Sequence, residues 1–152
     1  ERPAEAADTF QMAITFREAL YRILLAAVTG KLPPDDDLAI FNAARAQALA
    51  HSAITAAAGS FAWQWNIDED YLGWMLWPII YAAAELLLSS ELKKVKQCSG
   101  PDCGWLFLDT SKNHTRRWCS MEGCGNRAKA RSHYQRKRQS AQAQAREVQP
   151  SP

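Results

Sequence analysis

The chain has 152 residues, 47% of them apolar, enough for one sizeable core or a medium domain with a small module beside it. The net charge of +2 conceals a division: residues 1–92 carry five Lys/Arg against twelve Asp/Glu, and residues 93–152 carry thirteen against four. An acidic part at −7 followed by a basic part at +9 suggests two units, the second suited to a polyanion.

From about Ala6 to Val28 the chain reads as one amphipathic helix. Phe10, Ile14, Leu20, Ile23, Leu24, Ala27 and Val28 recur mostly at three- and four-residue intervals, and Gly30 supplies the stop. The first ten residues are polar and acidic, with no basic start or apolar stretch, so no signal peptide is expected and a cytoplasmic location is. Pro33-Pro34 marks a loop. Asp35-Asp36-Asp37 then opens a second helix, reaching roughly Ala50, with acidic residues that complement its dipole.

Beyond His51 the pattern changes. Ile54 and Thr55 precede Gly59-Ser60, and Phe61, Trp63 and Trp65 then alternate with smaller or polar residues, which predicts a β-hairpin turning near Gly59. Asn66 to Asp70 reads as a polar helix entry. A long helix is expected from there to about Leu92, bent or locally unwound at Pro78, which lacks a backbone donor. Its most apolar stretch, Tyr71–Ala84, is shorter than the roughly 18–20 residues of a membrane span. A buried helix is the better reading.

All four cysteines lie in one short segment, as Cys98-x4-Cys103 and Cys119-x4-Cys124. A secreted disulfide scaffold spreads its cysteines to staple the whole fold, so this clustering favours a metal over two disulfides. Four thiolates converging from two turns suit a structural zinc ion and leave no open position for catalytic water. His114, beside Lys112 and Arg116, is an alternative to one thiolate, although a loop histidine there reads more readily as a solvent or phosphate contact. Between the pairs, Trp105–Leu108 reads as a strand, Ser111–His114 as a turn and Arg116–Trp118 as the return strand. Trp105, Phe107 and Trp118 would form a small core. A helix should follow from near Asn126 and fray in the last residues.

The strings Cys98-Ser99-Gly100-Pro101-Asp102-Cys103-Gly104-Trp105-Leu106-Phe107-Leu108-Asp109, Arg116-Arg117-Trp118-Cys119-Ser120-Met121 and Cys124-Gly125-Asn126-Arg127-Ala128-Lys129 strongly resemble the bacterial CGNR zinc-finger family. That resemblance covers about residues 97–138. In this family the finger follows a helical domain called ABATE, which residues 1–92 resemble more loosely through helix order and the Leu76-Trp77-Pro78 to Ala84-Glu85-Leu86-Leu87 stretch. Members are ascribed a role as stress-induced transcriptional regulators, with DNA binding inferred from the finger.

Projected on a helix, Arg127, Arg131, Tyr134 and Arg138 form one stripe, with Lys129, Arg136 and Lys137 beside it. Such arginines can meet phosphates on both sides of a groove and reach guanine edges. Arg116 and Arg117 could add backbone contacts, and Arg127, in the first helical turn beside the knuckle, could instead brace the metal turn by bonding backbone carbonyls. The plainer alternative is a solvated face, or a dock for an acidic protein partner. A helix behind a zinc module favours duplex DNA, whereas exposed aromatics would favour single-stranded RNA.

Trp63, Trp65, Trp74 and Trp77 lie within fifteen residues and could line an effector pocket, although core packing is the commoner use of large aromatics. No catalytic motif is visible. The expectation is therefore a mainly α fold with a small β-hairpin. A helical domain (1–92) precedes a treble-clef-like four-cysteine finger with a basic helix (93–140) and a fraying tail (141–152). One structural Zn2+ per chain is expected, in a homodimeric, non-enzymatic nucleic-acid-binding protein.

Overall fold

The computed structural model describes residues 2–68 and 70–147, with side chains as far as residue 142. The chain divides into two compact units, Glu1–Val95 and Lys96–Pro152. Among the described residues no helix is long and apolar enough to cross a membrane.

In the first unit, helix α1 spans Pro3–Thr29 and buries Phe16, Ala19, Ile23 and Ala26, at intervals of three and four that place them on one face. Gly30 closes it in a left-handed conformation. Helix α2 (Asp35–Ala50) packs against α1 and buries Phe41 and Ala48. The Phe16 and Phe41 rings stack across this contact with centroids 5.6 Å apart.

The acidic start of α2 does more than complement a dipole. Asp37 is buried and receives a two-pronged contact from Arg22 of α1, Nε to Oδ2 at 2.9 Å and Nη2 to Oδ1 at 2.7 Å. The Arg22 hydrogen bonds hold the Asp37 carboxyl below the ordinary carboxylate range, against the opposing effect of burial. A depressed folded-state pKa means that the clamp contributes fully above the unfolded value of about 3.9 and is lost as pH falls through the folded one. Asp37→Asn is therefore expected to lower the urea midpoint at neutral pH, read by circular dichroism. The gap between variant and wild type should close below about pH 4.

Strands β1 (Ser52–Ala57) and β2 (Ser60–Trp65) form the expected antiparallel hairpin, in register from Ser52 opposite Trp65 to Ala57 opposite Ser60. Its two-residue turn is Ala58-Gly59, with φ of 43° and 81°. Positive φ at both central positions marks a type I′ turn, whose twist matches that of the strands. Ile54 and Ala56 share a face with Phe61, Trp63 and Trp65.

The long helix expected up to Leu92 is instead three pieces. A 3-10 turn covers Leu72–Leu76, helix α3 runs from Trp77 to Leu88, and a second 3-10 turn covers Ser90–Lys94. Pro78 bends nothing. It lies in the first turn of α3, where a missing N–H costs no hydrogen bond. Ser89 ends the helix: its Oγ accepts from the Glu91 N–H at 3.2 Å and starts the next turn. α3 packs on α2 and closes the core with Trp77, Ile80, Ala83 and Ala84. Trp77 is 2% exposed, with the His51 ring stacked on it at 4.4 Å.

The second unit also departs from expectation in its strand pairing. β4 (Leu106–Leu108) pairs with β3 (Val95–Gln97), so the first cysteine pair lies in the connection between them. Residues 116–118 form no strand. Their link to the first knuckle is a hydrogen bond from the Ser99 N–H to the Arg117 carbonyl at 2.9 Å. A π-helical turn at Met121–Gly125 leads into α4 (Asn126–Glu147). The helix thus continues through the first part of the expected tail, and residues 148–152 lie outside the described residues.

Candidate metal centre

The sulfurs of Cys98, Cys103, Cys119 and Cys124 all lie within 4.8 Å of one another. Cys103 Sγ is 3.7 Å from Cys119 Sγ, which is 3.8 Å from Cys124 Sγ. Sulfurs at about 2.3 Å from a tetrahedral zinc stand about 3.8 Å apart, so these edges have the length that the ion requires. A disulfide would need about 2.05 Å. All four cysteines are free thiols, and the disulfide alternative falls.

Local structure explains the convergence. Gly100 faces the cluster: a Cβ there would lie 3.1 Å from the Cys103 Cβ and 3.3 Å from the Cys124 Sγ. Any side chain there would crowd the knuckle where it closes over the sulfurs. The backbone N–H groups of Gly100 and Cys119 donate to Cys98 Sγ at 3.5 and 3.4 Å. In the second knuckle, Ser120 Oγ accepts from the Gly123 N–H at 3.2 Å and Gly125 N–H reaches the Ser120 carbonyl at 3.0 Å, shaping the π-turn.

The donor set itself calls for a cation. Burial pushes the Cys119 thiol up to about 12, reinforced by the sulfurs of Cys103, Cys98 and Cys124. Burial also acts against Cys98, but the donors around it, led by the Cys119 N–H, bring its thiol down to about 7. Four thiols at this spacing cannot all ionise against one another without a positive ion between them. The site therefore fits a metal ion, with Cys98, Cys103, Cys119 and Cys124 to hold it.

His114 is not one of the clustered residues. Its Nδ1 lies 3.0 Å from the Asp109 carbonyl oxygen, and its backbone adopts φ of 49°. The histidine marks a tight turn instead.

The segment between the knuckles is organised by a residue to which the sequence assigns no chemistry. Asp109 is fully buried and its carboxylate accepts four hydrogen bonds. Lys96 Nζ donates at 2.7 Å, Ser111 through its N–H at 3.0 Å and its hydroxyl at 2.6 Å, and Arg116 through its N–H at 3.0 Å. Lys96 foremost, then Ser111, holds this carboxyl well below the ordinary range. Trp105, expected in the small core, is 73% exposed, whereas Phe107 and Trp118 are partly buried.

The basic residues fall into two sets. Arg116 is engaged within the finger: Nε donates to the Trp118 carbonyl at 2.9 Å, Nη2 donates to the Cys119 carbonyl, and the guanidinium covers the Phe107 ring at 4.8 Å. Arg127 Nη2 donates to Cys124 Sγ at 3.3 Å. Arg117 lies over the Trp118 ring at 5.4 Å. Further along α4, Lys129, Arg131, Tyr134, Arg136, Lys137 and Arg138 are all exposed. Among the described residues Arg131 makes a loose ion pair, 4.0 Å from the 93% exposed Asp102 carboxylate. At about 100° per residue, Lys129 and Arg136 project opposite Arg131 and Arg138, so the helix is basic on two faces and not on one stripe with flanks.

In the first unit the four tryptophans separate. Trp63 and Trp65 line a groove of about 180 Å³ with Tyr81, Leu88, Arg45 and Glu85 among its walls. Trp77 belongs to the buried core and Trp74 packs against it, the core-packing use of large aromatics, and neither lines this groove.

No curated protein matches the chain. Residues 94–137 match the CGNR zinc finger family. Residues 1–90, more than half of the chain, match the family described as "ABATE: Putative stress-induced transcription regulator". With a helical unit over the first of these ranges and four converging thiols in the second, the chain belongs to the ABATE family and carries a CGNR zinc finger.

Proposed function

We propose that the protein is a DNA-binding transcription regulator, without enzymatic activity, that acts in the bacterial cytoplasm and holds one structural zinc ion per chain. The observation that carries this reading is the composition and exposure of α4. Residues 126–142 contain six Lys/Arg and no acidic residue, and from Lys129 to Gln142 every side chain is exposed. A helix basic on two faces suits a major groove, where phosphates lie on either side. When bound, zinc would hold the two knuckles together and fix the start of that helix. The four thiolates leave no coordination position for a reacting water.

Fluorescence anisotropy with duplex DNA, single-stranded DNA and RNA at several salt concentrations tests the proposal. The double variant Arg131→Ala/Arg138→Ala should keep its zinc and bind duplex DNA more weakly. Its slope of log affinity against log salt should be shallower by about two units, one for each phosphate that the variant no longer neutralises. Unchanged binding would move the basic helix to an acidic protein partner. The exposed Trp105 and Tyr134 favour a second reading, stacking of unpaired bases, which Trp105→Ala would weaken on single strands but not on duplex.

A single finger makes few base contacts, and a homodimer would double them. The hairpin offers apolar surface for that assembly: Ile54 is 65% and Phe61 78% exposed. Sedimentation at tens of micromolar should show a dimer; a strict monomer would refute this part of the proposal.

A further inference from the structure

Two of the four sulfurs are buried, and each has hydrogen-bond donors of a different kind. Cys98 Sγ is met by the backbone N–H groups of Gly100 and Cys119. Cys124 Sγ is met by a side chain, the Nη2 group of Arg127 at 3.3 Å. Arg127 is the second residue of α4, so its guanidinium folds back over the helix start toward the cluster. Four thiolates around a divalent cation carry a net charge of −2, and a buried excess of charge needs a nearby positive group. The α4 N-terminus supplies part of that potential and Arg127 a full charge.

We infer that Arg127 is a positioning residue for the metal centre and not a nucleic-acid contact, and that its bond to Cys124 ties zinc retention to the placement of α4. This inference rests on the zinc reading proposed above. Arginine suits the task because it stays protonated and can donate to the sulfur while its other N–H groups remain hydrated. Partners around a metal ligand commonly govern affinity by ten- to a hundredfold. Arg131, one turn further on, makes the useful contrast. Its loose pair with an exposed carboxylate is readily exchanged for a phosphate, whereas Arg127 is held by a buried thiolate.

Zinc content of the purified wild-type chain is measured first; absence of zinc there would refute the zinc reading itself, independently of Arg127. Release of zinc to a colorimetric chelator is then timed for wild type, Arg127→Ala, Arg127→Lys and Arg131→Ala. Expected is release about ten- to a hundredfold faster for Arg127→Ala, an intermediate rate for Arg127→Lys, which restores the charge, and a wild-type rate for Arg131→Ala. With zinc in excess, the salt slope of duplex binding should be unchanged in Arg127→Ala and about one unit shallower in Arg131→Ala. Wild-type release from Arg127→Ala would overturn the inference. So would a lysine variant no better than alanine, or a shallower slope in Arg127→Ala under excess zinc. If the wild-type chain binds no duplex, the release rates alone decide.

Discussion

Cys119→Ser should abolish the metal module and leave the helical unit standing. Zinc content is expected to fall from one per chain to about zero, because three thiolates of a four-sulfur site neither complete the tetrahedron nor close the second knuckle. Cys119 is central to the geometry, with its sulfur close to those of both Cys103 and Cys124 and a backbone N–H that serves Cys98. Far-UV circular dichroism should retain the signal of α1, α2 and α3, whose core of Phe16, Ile23, Phe41, Trp77 and Ile80 contains no residue of the finger. Loss of the whole helical signal, or retention of stoichiometric zinc, would contradict the expected result.

Trp77→Ala should have the opposite pattern. The indole fills the centre of the first unit, with Trp65 and Tyr71 tilted against it at 6.2 and 6.0 Å and His51 stacked on it. Truncating a buried tryptophan costs about 3–5 kcal/mol, a large share of the roughly 5–15 kcal/mol that holds a domain folded. Urea unfolding followed by far-UV circular dichroism should show the midpoint collapse while chelatable zinc stays at the wild-type level. A loss under about 1 kcal/mol would mean that the site repacks far more freely than the surrounding rings suggest.

The features that sequence patterning revealed are those encoded locally. The spacing of Phe16, Ile23 and their neighbours specifies α1, the Gly59 turn specifies the hairpin, and the four cysteines mark the cluster. The departures have physical causes that spacing does not carry. Pro78 is compatible with either a kink or a helix start, and choosing between them requires knowing that residues 72–76 turn more tightly. β3 and β4 have three residues each, too few for alternation to register. The roles of Asp37 and Asp109 depend on partners at a distance along the chain, Arg22 fifteen positions before one and Lys96 thirteen before the other. For Arg127 a signal was present: a basic residue three positions after a ligand, within reach of its sulfur one helical turn back. Position in the first helical turn points to bracing of the knuckle through backbone carbonyls; the partner in the structure is the Cys124 sulfur.

The Asp109 carboxylate also bears on how the finger captures an ion. Cys103 and Cys119 are sixteen positions apart, and a free segment of that length must lose configurational freedom before both can serve one metal. Bonds from Ser111 and Arg116 to a single buried anion close short arcs within that segment, and Lys96 ties the same anion to the strand that leads into Cys98. The two halves of the coordination sphere are thereby held near each other by ordinary electrostatics. A metal ion would then meet a partly assembled claw and not a slack tether, with much of the ordering supplied by the polypeptide's own hydrogen bonds.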